Sequence, residues 1–192
     1  MLFLLTLTAC PPSAEDDTAK SDDTGATDDT GEPEPTVLDE LFAGEPRNLW
    51  GCGWGYVVAE YDGATLVAEL ALPETDRYAN ADVSYARPLD AGDSLEVGAG
   101  AGPDEIQTFD CYDVMEIEEG VQLWTATSGD LALDATFVRD APEHTCDGVS
   151  PNPIYDTHVV LTNLELADAR GATATLSAFT ADLQLGMNYC GG

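Results

Sequence analysis

The 192-residue sequence predicts an all-β domain, an antiparallel β-sandwich stabilised by two disulfides. Three observations predict it. Short runs rich in Val, Leu, Tyr and Thr alternate with Gly, Asp and Pro. Eight or more such runs recur at the spacing of a sandwich. Four cysteines, Cys52, Cys111, Cys146 and Cys190, form an even set within the same region. Residues 37–192 carry this domain and are numerous enough for one hydrophobic core. Their glycines and β-branched residues disfavour a helical reading.

Taken in order, Leu38–Phe42 is expected to form a single helical turn. The clearest hairpin runs from Trp54 to Leu72. Asp62-Gly63 sits between two apolar runs there and suits a type I′ turn, whose two central residues take φ > 0. That register sets Tyr61 opposite Ala64, Ala59 opposite Leu66, Val57 opposite Ala68 and Gly55 opposite Leu70. One face is then small or apolar and belongs to the core. The other carries Trp54, Tyr56, Val58, Val67 and Glu69. Val83–Ala86, Leu95–Ala99 and Ile106–Cys111 are further strands. A second hairpin is expected from Val121 to Val138 around Ser128-Gly129, with Trp124, Ala126, Leu131 and Leu133 on one face. Thr125, Thr127, Asp130 and Asp134 face the other way, the alternation of a sheet wet on one side. A third unit runs from His158 to Leu166, turns through Asp168-Ala169-Arg170-Gly171 and returns from Thr173 to Phe179. Leu183–Met187 is a last strand.

Ahead of the domain, Leu2 to Leu7 is apolar, Ala9 is small, and Cys10 follows it directly. The segment Leu7-Thr8-Ala9-Cys10 resembles the lipobox of bacterial lipoproteins. The resemblance covers residues 1–10 alone. It implies a signal peptide over residues 1–9, cleaved before Cys10, with lipid on the Cys10 thiol and on the new amino group. Each buried CH₂ of an acyl chain contributes about 0.8 kcal/mol, so several chains hold a domain on a bilayer. The next residue is Pro11, not the aspartate linked in that family to inner-membrane retention, which favours the outer membrane.

Residues 16–33 divide into three hexads that each open with Asp-Asp-Thr: Asp16–Ser21, Asp22–Thr27 and Asp28–Pro33. From Pro11 to Thr36 there are nine acids and one lysine. With almost no large apolar side chain, this stretch cannot bury enough surface to offset its ordering entropy, and its charges repel. Residues 10–36 therefore read as a lipidated cysteine followed by a solvated, disordered tether.

The whole chain has 37 acidic and 6 basic residues, a formal net charge of −31. That balance excludes nucleic acid as a partner, because phosphate recognition needs clustered Lys and Arg. No run reaches the roughly eighteen apolar residues of a membrane-spanning helix. The expected attachment is therefore to a membrane through lipid, in the bacterial cell envelope.

With Cys10 assigned to lipid, the other four cysteines of an exported chain suggest two disulfides, with three possible connectivities. Cys111 and Cys146 flank Gly129 almost symmetrically, so the legs of the second hairpin would bring them together. That leaves Cys52 for Cys190, and the expected pairs are Cys111–Cys146 and Cys52–Cys190.

No nucleophile elbow, Walker loop, zincin helix or EF-hand loop occurs. Ser150, Asp156 and His158 contain the residue types of a Ser-His-Asp arrangement, but no spacing singles them out, and no catalytic residue is assigned. His144, Cys146, Asp156 and His158 form two pairs with i, i+2 spacing, as strand-borne metal ligands would. This reading conflicts with the disulfide that Cys146 is expected to make. Calcium is the cofactor to consider, with oxygen ligands from Asp90/Asp93, Asp104/Glu105 or Asp110/Asp113 beside loops. Against it, close acid pairs are inevitable in so acidic a chain, and hydrated carboxylates serve solubility. Trp54 and Tyr56 beside Glu69 could stack on a sugar ring and bond its hydroxyls. The leading reading is a non-enzymatic envelope lipoprotein displaying a β-domain. The alternatives are a carbohydrate- or calcium-dependent adhesion module, with a glycan or envelope protein as partner, and an exported hydrolase. The last would need a pocket gathering His144 or His158 with carboxylates.

Overall fold

A computed structural model describes residues 35–99, 106–107, 116–117, 121–142 and 150–186. In chain order the elements are β1 (Thr36–Val37), a 3₁₀ turn (Asp39–Phe42), β2 (Asn48–Cys52), β3 (Tyr56–Tyr61), β4 (Ala64–Glu69), α1 (Glu74–Arg77), β5 (Val83–Pro88) and β6 (Ser94–Ala99). These are followed by β7 (Ile106–Gln107), β8 (Glu116–Ile117), β9 (Gln122–Asp140), β10 (Pro153–Ala167) and β11 (Thr173–Leu185). The protein is all-β, as its sequence predicts.

Nine strands form one sheet in the order β1-β11-β10-β9-β6-β4-β3-β2, with β5 also paired to β9; β7 and β8 pair with each other. β1 runs parallel to β11 and every other pairing is antiparallel, so the sheet is mixed. In place of two stacked sheets, a single sheet curls until its own halves face each other.

The first hairpin forms in the predicted register, with Tyr61 opposite Ala64, Ala59 opposite Leu66 and Val57 opposite Ala68, but its turn is not the expected type I′, since Gly63 takes φ 83 while Asp62 keeps a negative φ. Its apolar face is buried throughout, from Val57 to Leu70. The third unit also forms, but its returning strand runs on past Phe179 to Leu185, so the last strand expected at Leu183–Met187 is the end of β11 and not a separate element. β10 and β11 join through a turn closed by amide bonds from Asp168 to the Ala172 carbonyl and from Gly171 to the Asp168 carbonyl.

The expected second hairpin does not exist, because Gln122–Asp140 is one continuous strand. The pairing gives the reason. Leu131 and Leu133 lie opposite Leu161 and Val159 of β10, while Ser128 and Ala126 lie opposite Glu165 and Leu166 of that same strand. Two legs of a hairpin would pair with each other; here both halves use one neighbour. Ser128-Gly129 is instead a kink, and Gly129 takes φ 154 where an added Cβ would lie 2.5 Å from Leu164 Cδ2. The predicted faces survive, since Trp124, Leu131 and Leu133 are buried while Thr125, Thr127, Asp130 and Asp134 are exposed.

The neighbouring strands bend along the same line. In β10 the inward set passes from Leu161 to Leu164 across Asn163, which has φ 53. In β11 it passes from Leu176 to Phe179. Thr162 pairs with Ala178 on one side of this line and Leu164 with Leu176 on the other. Irregularities aligned across three strands bend a sheet sharply, and this corner turns β9, β10 and β11 over the core. On one arm β6 pairs with residues 122–125 of β9, and on the other β5 pairs with residues 130–135. Between them sit Val57, Leu66, Trp124, Leu131, Tyr155, Val159, Leu176 and Leu185, all buried.

Candidate functional site

The outward face of β9, β10 and β11 is polar because strand side chains alternate and the other set fills the core. Register then brings four residues into one row: Ser84 opposite Asp134, Asp134 opposite His158, and His158 opposite Asp182. Ser84 Oγ donates to Asp134 Oδ1 at 2.6 Å, and His158 Nδ1 lies 2.7 Å from Asp182 Oδ1. One row along, Gln184 Nε2 donates to Asp156 Oδ1 at 2.8 Å. Asp134, His158, Asp182, Asp156 and Gln184, with Thr136, line an open hollow of about 420 Å³.

This is where carboxylates and a histidine come closest to an active-site composition. The chemistry available is limited by direction. The Ser84 hydroxyl is committed to Asp134, not to the imidazole, so the row holds no serine activated by a base. Asp182 fixes one imidazole nitrogen, as a structural pair does equally well. Among the described residues, no group of three or more His, Cys, Asp or Glu side chains is placed to hold a metal ion.

Asp90 and Asp93, expected as calcium ligands, are turned to another use. Asp93 accepts from Arg87 Nη2 at 2.8 Å, from the Ala71 amide at 2.9 Å and from the Asp90 amide at 2.8 Å. Asp90 accepts from the Gly92 amide and faces Arg87 at 3.4 Å. The loop is thus an arginine clasp joining β5, β6 and the end of β4. Burial acts to raise the Asp93 carboxyl, but the guanidinium and the two amides outweigh it and hold the group below the usual aspartate value. Asp110, Asp113, Asp104 and Glu105 lie outside the described residues.

Trp54, Tyr56 and Glu69 do not assemble into one platform. Trp54 precedes β3, in a turn where Gly53 and Gly55 both have positive φ. That turn swings the indole onto Tyr155, with ring centroids 4.9 Å apart, and its N–H donates to the Pro73 carbonyl at 3.2 Å. Tyr56 packs instead against Trp50, in a tilted pair with ring centroids 5.9 Å apart, and lies opposite Glu69 in the sheet. Val58 and Thr65 on the same side of the hairpin are buried, so this face is covered as well.

A second polar centre, unmarked in the sequence, lies around α1. Arg77 is buried, and its Nη2 donates to Asn152 Oδ1 at 3.3 Å and to the Gly186 carbonyl at 3.2 Å. The Tyr155 hydroxyl donates to the Arg77 carbonyl at 2.7 Å, and the Tyr85 hydroxyl bonds Asp76. Burial, then the bond to the Asp76 carboxylate, pushes the Tyr85 hydroxyl far above its ordinary value. These groups tie a one-turn helix to the end of the sheet where β10 starts and β11 finishes, and work as internal fastening.

Cys52 is buried and is not a free thiol. Cys10, Cys111, Cys146, Cys190 and His144 lie outside the described residues. His158 and Asp156 were legible as a pair on one strand face. Asp134, Asp182 and Ser84 were not, because their approach depends on pairings between strands remote in sequence.

The fold and these sites define an all-β protein built on one curled mixed sheet with an acidic outer face. No protein-family model, curated protein or solved structure matches the chain.

Proposed function

We propose that this chain is an exported lipoprotein that displays a non-enzymatic β-domain from the bacterial cell envelope, on the outer membrane. The observation that carries the reading is Leu7-Thr8-Ala9-Cys10 followed directly by the acidic hexads. An acyl anchor, a solvated spacer and a compact domain make a physically coherent order. The domain that follows is compact from Thr36 on, where β1 pairs with β11. No helix among the described residues is long and apolar enough to cross a membrane. Oxidation of the four downstream cysteines into Cys111–Cys146 and Cys52–Cys190 belongs to the same reading, since exported thiols meet an oxidising compartment. A display role in place of catalysis is supported by the Ser84–Asp134 bond, which points the only hydroxyl of the His158 row away from the imidazole.

Labelling cells with radioactive palmitate tests the anchor. The wild-type chain is expected to take up label and fractionate with envelope membranes, and Cys10→Ser to lose both. Equal labelling of the two chains would overturn the proposal.

A further inference from the structure

We propose that the free edge of β5 is a docking strand for an extended, lysine- or arginine-rich segment of a partner protein, which would join the sheet beside it. The inference deepens the display reading by naming what the domain would hold, and it rests on that reading only for where the partner is met. β5 pairs with β9 along one side, and among the described residues no strand pairs with it along the other. The ladder fixes which backbone groups are left over. The Leu89 amide donates to the Gly129 carbonyl at 2.9 Å, so backbone groups of the same parity, at Val83, Tyr85 and Arg87, point to β9. Those of Ser84 and Ala86 point the other way. Both residues are exposed, and nothing among the described residues bonds their amides. Pro88 closes the edge at its end: it has no N–H, and its carbonyl accepts from Arg87 Nη1 at 3.0 Å. The other ends of the sheet offer less. β1 has two residues, and β2 lies against β11, where a Cβ at Gly51 would stand 2.6 Å from Leu185 Cδ2.

Charge selects the occupant. Carboxylates flank β5 on both faces: Asp134 takes the Ser84 hydroxyl on the outer face, and Asp76 takes the Tyr85 hydroxyl on the inner one. Asp82 precedes the strand and accepts from the Phe137 amide at 2.9 Å. None of these three carboxylates has a cationic partner among the described residues, and Arg87, the cation on the strand itself, is held by Asp93 and Asp90. An antiparallel newcomer would exchange both backbone bonds with Ser84 and both with Ala86, the mode in which an edge strand captures a peptide. Its residues opposite Ser84 and Ala86 would point to the face of Asp134, and the residue between them to the side of Tyr85 and Asp76. Lysine or arginine at these positions meets carboxylates that lack a cation, whereas glutamate or aspartate meets like charge. A second copy of this chain is the poorer occupant, because two molecules of net charge −31 repel each other.

The purified full-length chain, in about 0.01 M salt where charges are least screened, is titrated with a synthetic peptide that alternates Lys and Thr. Amide exchange is followed residue by residue. The peptide is expected to bind and, at about ten times its Kd, to slow exchange at Ser84 and Ala86 about tenfold. A peptide alternating Glu and Thr is expected not to bind. Ala86→Pro removes an outward N–H and keeps the bonds to β9, and it is expected to weaken binding of the Lys-Thr peptide about tenfold. Should that variant not fold, the wild type supplies the same test with a Lys-Thr peptide N-methylated along its backbone, which keeps the charge but cannot donate, and the same loss is expected. Equal binding of the plain and N-methylated peptides would show attraction by charge alone and overturn the proposal. No binding, protection elsewhere with Ser84 and Ala86 unchanged, or protection of these amides by self-association before peptide is added overturns it too. The titration needs no membrane, so a chain that binds the peptide yet takes up no palmitate in cells would sink the anchor and leave the edge standing.

Discussion

Asp93 has a side chain only 2 % exposed, and its charge is held by one guanidinium and two backbone amides. Removing the charge leaves Arg87, itself 23 % exposed, without its partner and leaves the amides of Ala71 and Asp90 with a weaker acceptor. Asp93→Asn is therefore expected to lower unfolding stability by about 2–3 kcal/mol at pH 7, read from the urea midpoint. The pH dependence has a definite sign. The folded carboxyl lies below its unfolded value, so its contribution is complete above the unfolded pKa of about 4 and fades as pH falls through the lower folded value. Wild type and variant should differ most near neutrality and converge below about pH 4; a gap of constant size from pH 7 to pH 3 would show that the charge is not what stabilises the loop. At this scale the sequence was only partly legible. It marked Asp90 and Asp93 as a pair beside a loop, but not that Arg87 would claim them, since a calcium ligand and an arginine partner are the same residue type at the same spacing. Trp54 misled for a different reason. Alternation placed it with Tyr56, and the two flanking glycines that rotate it out of the strand carry no side chain to signal the direction.

At the scale of elements, what was legible followed local chemistry. Asp62-Gly63 fixed one hairpin and its register, and the Asp168–Gly171 turn fixed another, because in each a short turn decides which residues pair. The corner was hidden because a two-residue turn and a kink can carry the same dipeptide. Both reverse the inward parity, so Ser128-Gly129 yields correct faces under either topology, and only the pairing of β9 with β10 across the intervening segment distinguishes them. The corner makes its own prediction. An alanine methyl at residue 129 would meet Leu164 Cδ2 at 2.5 Å and the Thr162 carbonyl oxygen at 3.2 Å, at a backbone φ of 154. Gly129→Ala is expected to cost about 2–3 kcal/mol, from overpacking together with backbone strain. Hydrogen exchange should show the loss spread through β9 and β10 on both sides of the bend. A penalty confined to residues next to 129 would indicate a local turn and would contradict the continuous strand.

Over the whole molecule, charge sets the terms. Residues 37–192 carry 28 acids against five arginines. Arg47, Arg77, Arg87 and Arg170 each face a carboxylate, and Arg139 is also engaged. Arginines are too few to pair most carboxylates, and on the outer sheet face Asp134, Asp156 and Asp182 bond Ser84, Gln184 and His158. Their mutual repulsion opposes compactness, and mobile counterions relieve it, since the screening length shrinks from about 30 Å at 0.01 M to about 3 Å at 1 M salt. Sodium chloride is expected to raise the thermal midpoint steadily across that range. Calcium tests whether anything more specific is present. If the carboxylates act only as a diffuse charge, calcium and magnesium at equal ionic strength should shift the midpoint equally, and chelator should leave the protein in plain salt unchanged. A shift that saturates at micromolar calcium and that magnesium does not reproduce would require a built site. The arginine clasp on Asp93 makes the Asp90/Asp93 loop a poor place for one, so Asp110→Asn with Asp113→Asn would then be the variant to remove it. In the absence of such a shift, the same carboxylates act as a diffuse charge, and a strongly charged surface opposes edge-to-edge pairing between copies at the two-residue edge strand β1.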